Sequence, residues 1–68
     1  MNERERIGRR LAEIRKERGY TVRQLAELAD LRSATISNVE NGKFSVGLDI
    51  LAKICDALEV RIEIIEIL

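Results

Sequence analysis

Read from its N-terminus, the chain first repeats apolar residues at Ile7, Leu11 and Ile14 among charged neighbours, which predicts a helix from about Arg4 to Arg18. Gly19 stops it where a left-handed backbone commonly closes a helix. Tyr20 leads into Thr21 and Gln24, which stand at capping-box spacing and mark the start of a second helix. That helix carries Leu25, Ala26, Leu28 and Ala29 as its apolar stripe. A break around Asp30 to Arg32 follows, and Leu31, Ile36 and Val39 then resume helical spacing. A third helix is expected from near Arg32 or Ser33 to Asn41-Gly42, a dipeptide suited to left-handed conformations. The fourth runs from Leu48 to about Leu58, with Gly47 as a permissive cap and Asp49 beside the positive helix end. Its core face is Leu48, Leu51, Ile54, Cys55 and Leu58.

The tail VRIEIIEIL, residues 60–68, is dense in β-branched side chains. Its alternation through Val60 to Ile64 favours a strand, broken in register at Ile65, whereas Ile54, Leu58, Ile62, Ile65 and Leu68 fit a helix continued from the fourth. A lone terminal strand presents an unpaired edge, so pairing with the same strand of a second copy would cover it. The alternative is a tail folded back on its own four helices.

Composition narrows the class. At 68 residues, one domain is expected, and a chain near this size hides only about 60% of its unfolded surface, so self-association is a natural remedy for a marginal core. An apolar content of 46%, a charged content of 35% and the absence of proline suit a helix-rich globular protein. No apolar run nears the roughly 18 residues that cross a bilayer, and the start MNERERIGRR lacks the apolar centre of a signal peptide. A cytoplasmic location without a membrane partner is therefore expected. Cys55 is the single cysteine, which leaves no internal disulfide or cysteine cluster and reads as a buried thiol.

The net charge of zero conceals an asymmetry. Residues 1–34 hold nine Lys/Arg against six Asp/Glu, while residues 35–68 hold three against six. The basic half includes Arg4, Arg6, Arg9, Arg10, Arg15, Lys16, Arg18, Arg23 and Arg32, a bias that suits nucleic acid and equally a solvated helix face. The outward side of the third helix, Ser33, Ala34, Thr35, Ser37 and Asn38, is small and hydrogen-bonding, with no acid until Glu40. Two helices joined by a tight turn, with such a face on the second, form a geometry that reads DNA. Without histidine, a Gly-rich phosphate loop or a paired-carboxylate constellation, an enzyme is not expected, and no metal or cofactor is implied.

Four stretches carry a family resemblance: KERGYT at 16–21, LAELA at 25–29, ATISNVENGK at 34–43 and LDIL at 48–51. In this order they closely resemble the phage-repressor and Cro-like helix-turn-helix family, and the likeness covers nearly all of residues 4–60. The tail is similar to that of small antitoxin-type members, in which an added strand helps to form the dimer. The resemblance implies a mainly α, four- to five-helix lambda-repressor-like domain over residues 1–59, followed by a dimerisation strand at 60–68 carrying Val60, Ile62, Ile64, Ile65 and Ile67. Double-stranded DNA and a second copy are the implied partners, and a toxin-like protein is the alternative one.

The same resemblance places the third helix in the major groove, with Arg32, Ser33, Ala34, Thr35, Ser37 and Asn38 near bases or phosphates and Arg23 beside them. Asn38 suits an adenine edge, Ala34 a thymine methyl, and Arg32 a guanine or a phosphate. Ser33 is equally suited to capping the helix, and Ser37 to packing against the second helix. Lys43 and Asn41 match positions that touch the phosphate backbone, and Asn41 also suits a cap. Arg15 and Glu40 match a partly buried structural ion pair. Val22 departs from the family pattern, standing where a phosphate-binding Gln is usual, and Arg32 replaces a Ser that would cap the third helix.

Overall fold

A computed structural model describes residues 2–43 and 45–68. It contains four helices, α1 (Glu3–Glu17), α2 (Val22–Ala29), α3 (Ser33–Glu40) and α4 (Leu48–Ala57), and no strand among the described residues. Helix α3 packs against both α1 and α2, and α2 also packs against α4, so α2 and α3 share one apolar interior. That interior is built from Leu11, Ile14, Leu25, Ala26, Ile36, Val39, Ile54, Cys55 and Leu58, with Tyr20, Val22, Leu31, Leu51 and Val60 packed against it.

Local chemistry fixes where each helix starts. At Thr21 the hydroxyl accepts the Gln24 amide at 3.0 Å, while the Gln24 side chain accepts the Thr21 amide at 2.8 Å, closing the expected capping box. Asn2 begins α1 in the same way, its side chain accepting the Glu5 amide at 2.9 Å. Arg32 is the cap residue of α3 and makes no side-chain cap bond, so Ser33 lies inside the first turn instead of capping it.

All four helices end in one wrap. The amide of Gly19, Asp30, Gly42 or Glu59 donates to a carbonyl three residues back, and the next amide donates five residues back. The wrap needs a left-handed residue, supplied by Gly19 (φ 77) and Gly42 (φ 65), but also by Asp30 (φ 57) and Glu59 (φ 60). The residue that follows turns inward in three cases, and Tyr20, Leu31 and Val60 pack on the core.

Three expectations change. Leu28 is 56% exposed and Leu48 69% exposed, so neither belongs to the core face assigned to it. Their stripes are right in phase, but α2 and α4 bury a narrower sector than the apolar residues occupy. Residues 60–68 are neither helix nor strand in the single chain. The left-handed turn at Glu59 ends α4 and excludes its continuation, and a strand lacks a partner edge. Nor does the tail fold back into the core beyond Val60, since Ile64 and Ile67 are 95% and 93% exposed.

Candidate nucleic-acid interface

Helix α3 has two unlike sides. Ile36 and Val39 point into the core, while Ser33 and Ala34 are exposed and Thr35, Ser37 and Asn38 are half-buried. Ser33, Thr35 and Asn38 donate or accept no side-chain hydrogen bond among the described residues, so these groups are open to an external partner. Arg32 stands exposed at the head of the helix, without a carboxylate in salt-bridge range among the described residues. At its foot, Asn41 donates from Nδ2 to the Ser37 carbonyl at 2.8 Å and closes the helix, and Lys43 is exposed just beyond. These residues therefore lie along one surface. Arg23 stands on the first turn of α2, engaged with Glu27 at 3.5 Å. Val22 is half-buried and packs on the core, leaving α2 without a polar group at that position.

The foot of α3 is anchored from behind by α1. Arg15, only 9% exposed, donates from Nε to Glu40 Oε2 at 2.6 Å and from Nη2 to Oε1 at 3.0 Å. Its Nη1 donates to the Tyr20 carbonyl at 2.8 Å, so all three nitrogens are used. The hydrogen bonds to Glu40 hold the guanidinium further above its already high pKa; burial opposes that shift and the adjacent charge reinforces it.

Sequence reasoning missed a second anchor. Gly8 is buried where α1 meets the end of α3, and a Cβ there would overlap the Val39 carbonyl oxygen and lie 3.0 Å from that of Glu40. Gly42 is similarly close to α1, since an added Cβ would lie 2.9 Å from Glu5 Cγ. A glycine amid strong helix formers was the available signal, because it weakens a helix unless another backbone must come near.

Several other charges on α1 pair locally. Glu3 accepts from Arg6 at 2.7 Å, a bond that holds its carboxyl below the usual range, and Arg10 reaches Glu13 and Glu17 at 3.4 and 3.7 Å. No group of His, Cys, Asp and Glu able to hold a metal occurs among the described residues.

A short helix with an open polar face, braced against a second helix through a tight turn, is the arrangement of a helix-turn-helix reader. Residues 11–65 match the helix-turn-helix family model, and the chain belongs to that family. It is 34% identical over 59 residues to the immunity repressor protein of Bacillus phage phi105, covering 87% of this chain and 41% of the repressor. Among solved structures it resembles the restriction-modification controller protein C.AhdI from Aeromonas hydrophila, with a TM-score of 0.83, 30% identity and coverage of 87% and 89% of the two chains. A chain of the HipA-HipB-O2-O3 complex superposes with a TM-score of 0.86 at 25% identity, over 98% of this chain and 94% of that one. The chain thus spans about two fifths of the phage repressor's length. Fold and family together define a helix-turn-helix domain of the Cro/C1 type.

Proposed function

We propose that this chain acts as a homodimeric repressor that inserts α3 of each copy into the major groove of an inverted-repeat operator. The observation that carries the reading is the acid-free face of α3, polar and unengaged at Ser33, Thr35 and Asn38, fixed from behind by the Arg15–Glu40 pair. Asn38 presents an amide to an adenine edge, Ala34 a methyl group to thymine, and Arg32 a guanidinium to guanine or a phosphate. Lys43 holds the phosphate backbone beyond the helix. With few long side chains on this face, DNA shape contributes to selectivity.

The dimer rests on residues 60–68. Ile62, Ile64, Ile65 and Ile67 are exposed in the single chain, and Ile62 borders a groove of about 230 Å³ with an apolar floor of Ile7, Leu11, Ile14, Leu51 and Val60 and with Arg6, Arg10, Arg61 and Glu63 also lining it. A second copy's tail pairing with this one as a strand would cover that surface. Two-fold symmetry then spaces the recognition helices about 34 Å apart, one turn of the duplex. Such a regulator works in the cytoplasm; no helix among the described residues is long and apolar enough to cross a membrane.

The test is selection of bound duplexes from a random pool at near-physiological salt, repeated with Asn38→Ala. An enriched inverted repeat whose preferred base shifts in the variant supports the reading. Enrichment of a single half-site would remove the dimer, and general salt-sensitive binding alone would remove sequence reading. In that last case a second reading takes over, in which the scaffold serves a protein partner as an antitoxin-like subunit. The exposed apolar tail and the likeness to a chain of a HipA-HipB-containing assembly favour it.

A further inference from the structure

The first turn of α1 has a cation that the repressor reading does not yet use. Arg4 Nη1 lies 3.5 Å from Ser45 Oγ, joining α1 to the loop that follows α3 across 41 residues of sequence. Of the acids on either side of Arg4, Glu3 holds Arg6, while Glu5 closes the cap with Asn2, lies against Gly42 and forms no salt bridge among the described residues. Arg4 has no carboxylate within salt-bridge distance among the described residues, unlike Arg6, Arg10 and Arg15; it shares this with Arg9 and Lys16 on the same helix, but Arg4 alone of the three reaches the loop after α3 with a side-chain hydrogen bond. Lys43 also has no carboxylate in that range among the described residues. The Arg4 guanidinium and the Ser45 hydroxyl thus meet where α1 reaches the loop that follows α3, with the exposed Lys43 two residues before Ser45 in the same loop. Their chemistry is that of an anion site for a singly charged phosphodiester, which accepts hydrogen bonds from guanidinium, ammonium and hydroxyl alike.

We infer that Arg4, together with Ser45 and Lys43, grips a backbone phosphate next to each half-site, making the N-terminal turn of α1 part of the DNA interface. The inference rests on the DNA-reading role proposed above. A phosphate contact carries no sequence information, so its signature is a salt dependence and not a base preference. Each neutralised phosphate contributes about 0.9 to the slope of log affinity against log salt, and a symmetric dimer has two such contacts.

The experiment measures that slope for the full chain on the selected duplex and on a scrambled one. The variants are Arg4→Gln, Arg4→Lys and Lys53→Gln, the last removing an exposed α4 charge away from the loop. Arg4→Gln is expected to lower the slope by roughly two per dimer and to weaken binding by a similar factor on both duplexes. Arg4→Lys restores most of the slope, and Lys53→Gln leaves it unchanged. An Arg4→Gln slope equal to that of the unaltered protein overturns the inference while leaving the repressor reading intact. Absence of duplex binding by the unaltered protein overturns both.

Discussion

Arg15 and Glu40 meet through two parallel hydrogen bonds, 2.6 and 3.0 Å long, with side chains only 11% and 10% exposed. The pair ties the middle of α1 to the last residue of α3, and the remaining Arg15 nitrogen holds the turn before α2 through Tyr20. Three elements therefore depend on one guanidinium. Removing either partner strands a charge in a site with little water, so Arg15→Met or Glu40→Gln is expected to destabilise the fold by about 3–5 kcal/mol. Urea unfolding checks this, and DNA affinity should recover when the variants are assayed under conditions where they are folded. An unchanged urea midpoint would show that the pair contributes nothing net.

Gly8 carries the second tie between these helices. Placing alanine there raises intrinsic helix propensity by about 1 kcal/mol but drives a methyl group into the Val39 carbonyl. Overpacking against backbone costs about 1–3 kcal/mol or more, so Gly8→Ala should lower the melting temperature in spite of the better helix former. A higher melting temperature would mean that α1 can slide away from α3 without penalty.

Two helix ends use a side-chain-bearing residue where glycine fits better. Asp30→Gly and Glu59→Gly should each raise stability by up to about 1 kcal/mol, since the left-handed strain they relieve exceeds the entropy that glycine adds to the unfolded chain. Thermal melts of the single and double variants decide the matter. The two sites lie on different helices, so their effects should add.

Cys55 supplies a pH dependence. Burial, reinforced by the adjacent Asp56 charge, pushes its thiol pKa up, so the fold favours the neutral form. The stabilisation is complete below the ordinary thiol pKa and is lost as pH rises through the raised one. The stability difference between the unaltered protein and Cys55→Ala should accordingly shrink above about pH 8.5, by at most about 1.4 kcal/mol per pH unit. A difference that stays constant to pH 10.5 would contradict the assignment.

Deleting Ile62 to Leu68 should give monomers in sedimentation, with Val60 retained because it packs on the core. A truncated protein that still sediments as a dimer would move the interface elsewhere.

Much of this was readable in advance wherever a short motif specifies geometry by itself. Thr21 with Gln24 placed the start of α2, and Gly19 and Gly42 placed two helix ends, because each acts through backbone groups within five residues. What escaped the sequence depends on a neighbouring element. Leu28 and Leu48 share the spacing of core residues, but whether a side chain at the margin of a stripe is covered depends on how far the next helix extends. Gly8 went unremarked because its reason, the close Val39 carbonyl, lies on α3. Asp30 and Glu59 lack the one feature, an absent Cβ, by which sequence advertises a left-handed residue. The alternation in residues 60–64 is real, yet a strand is a property of two chains as much as of one.

The stabilising contacts of α3 and its open polar face fall on separate residues. Ile36, Val39 and Glu40 hold the helix, whereas the outward side chains of Ser33, Ala34 and Asn38 make no hydrogen bond among the described residues. Exchanges on that outer face are therefore nearly neutral for folding. A lineage with this scaffold is free to drift from one recognition sequence to another by single substitutions, without first acquiring a compensating change in its interior.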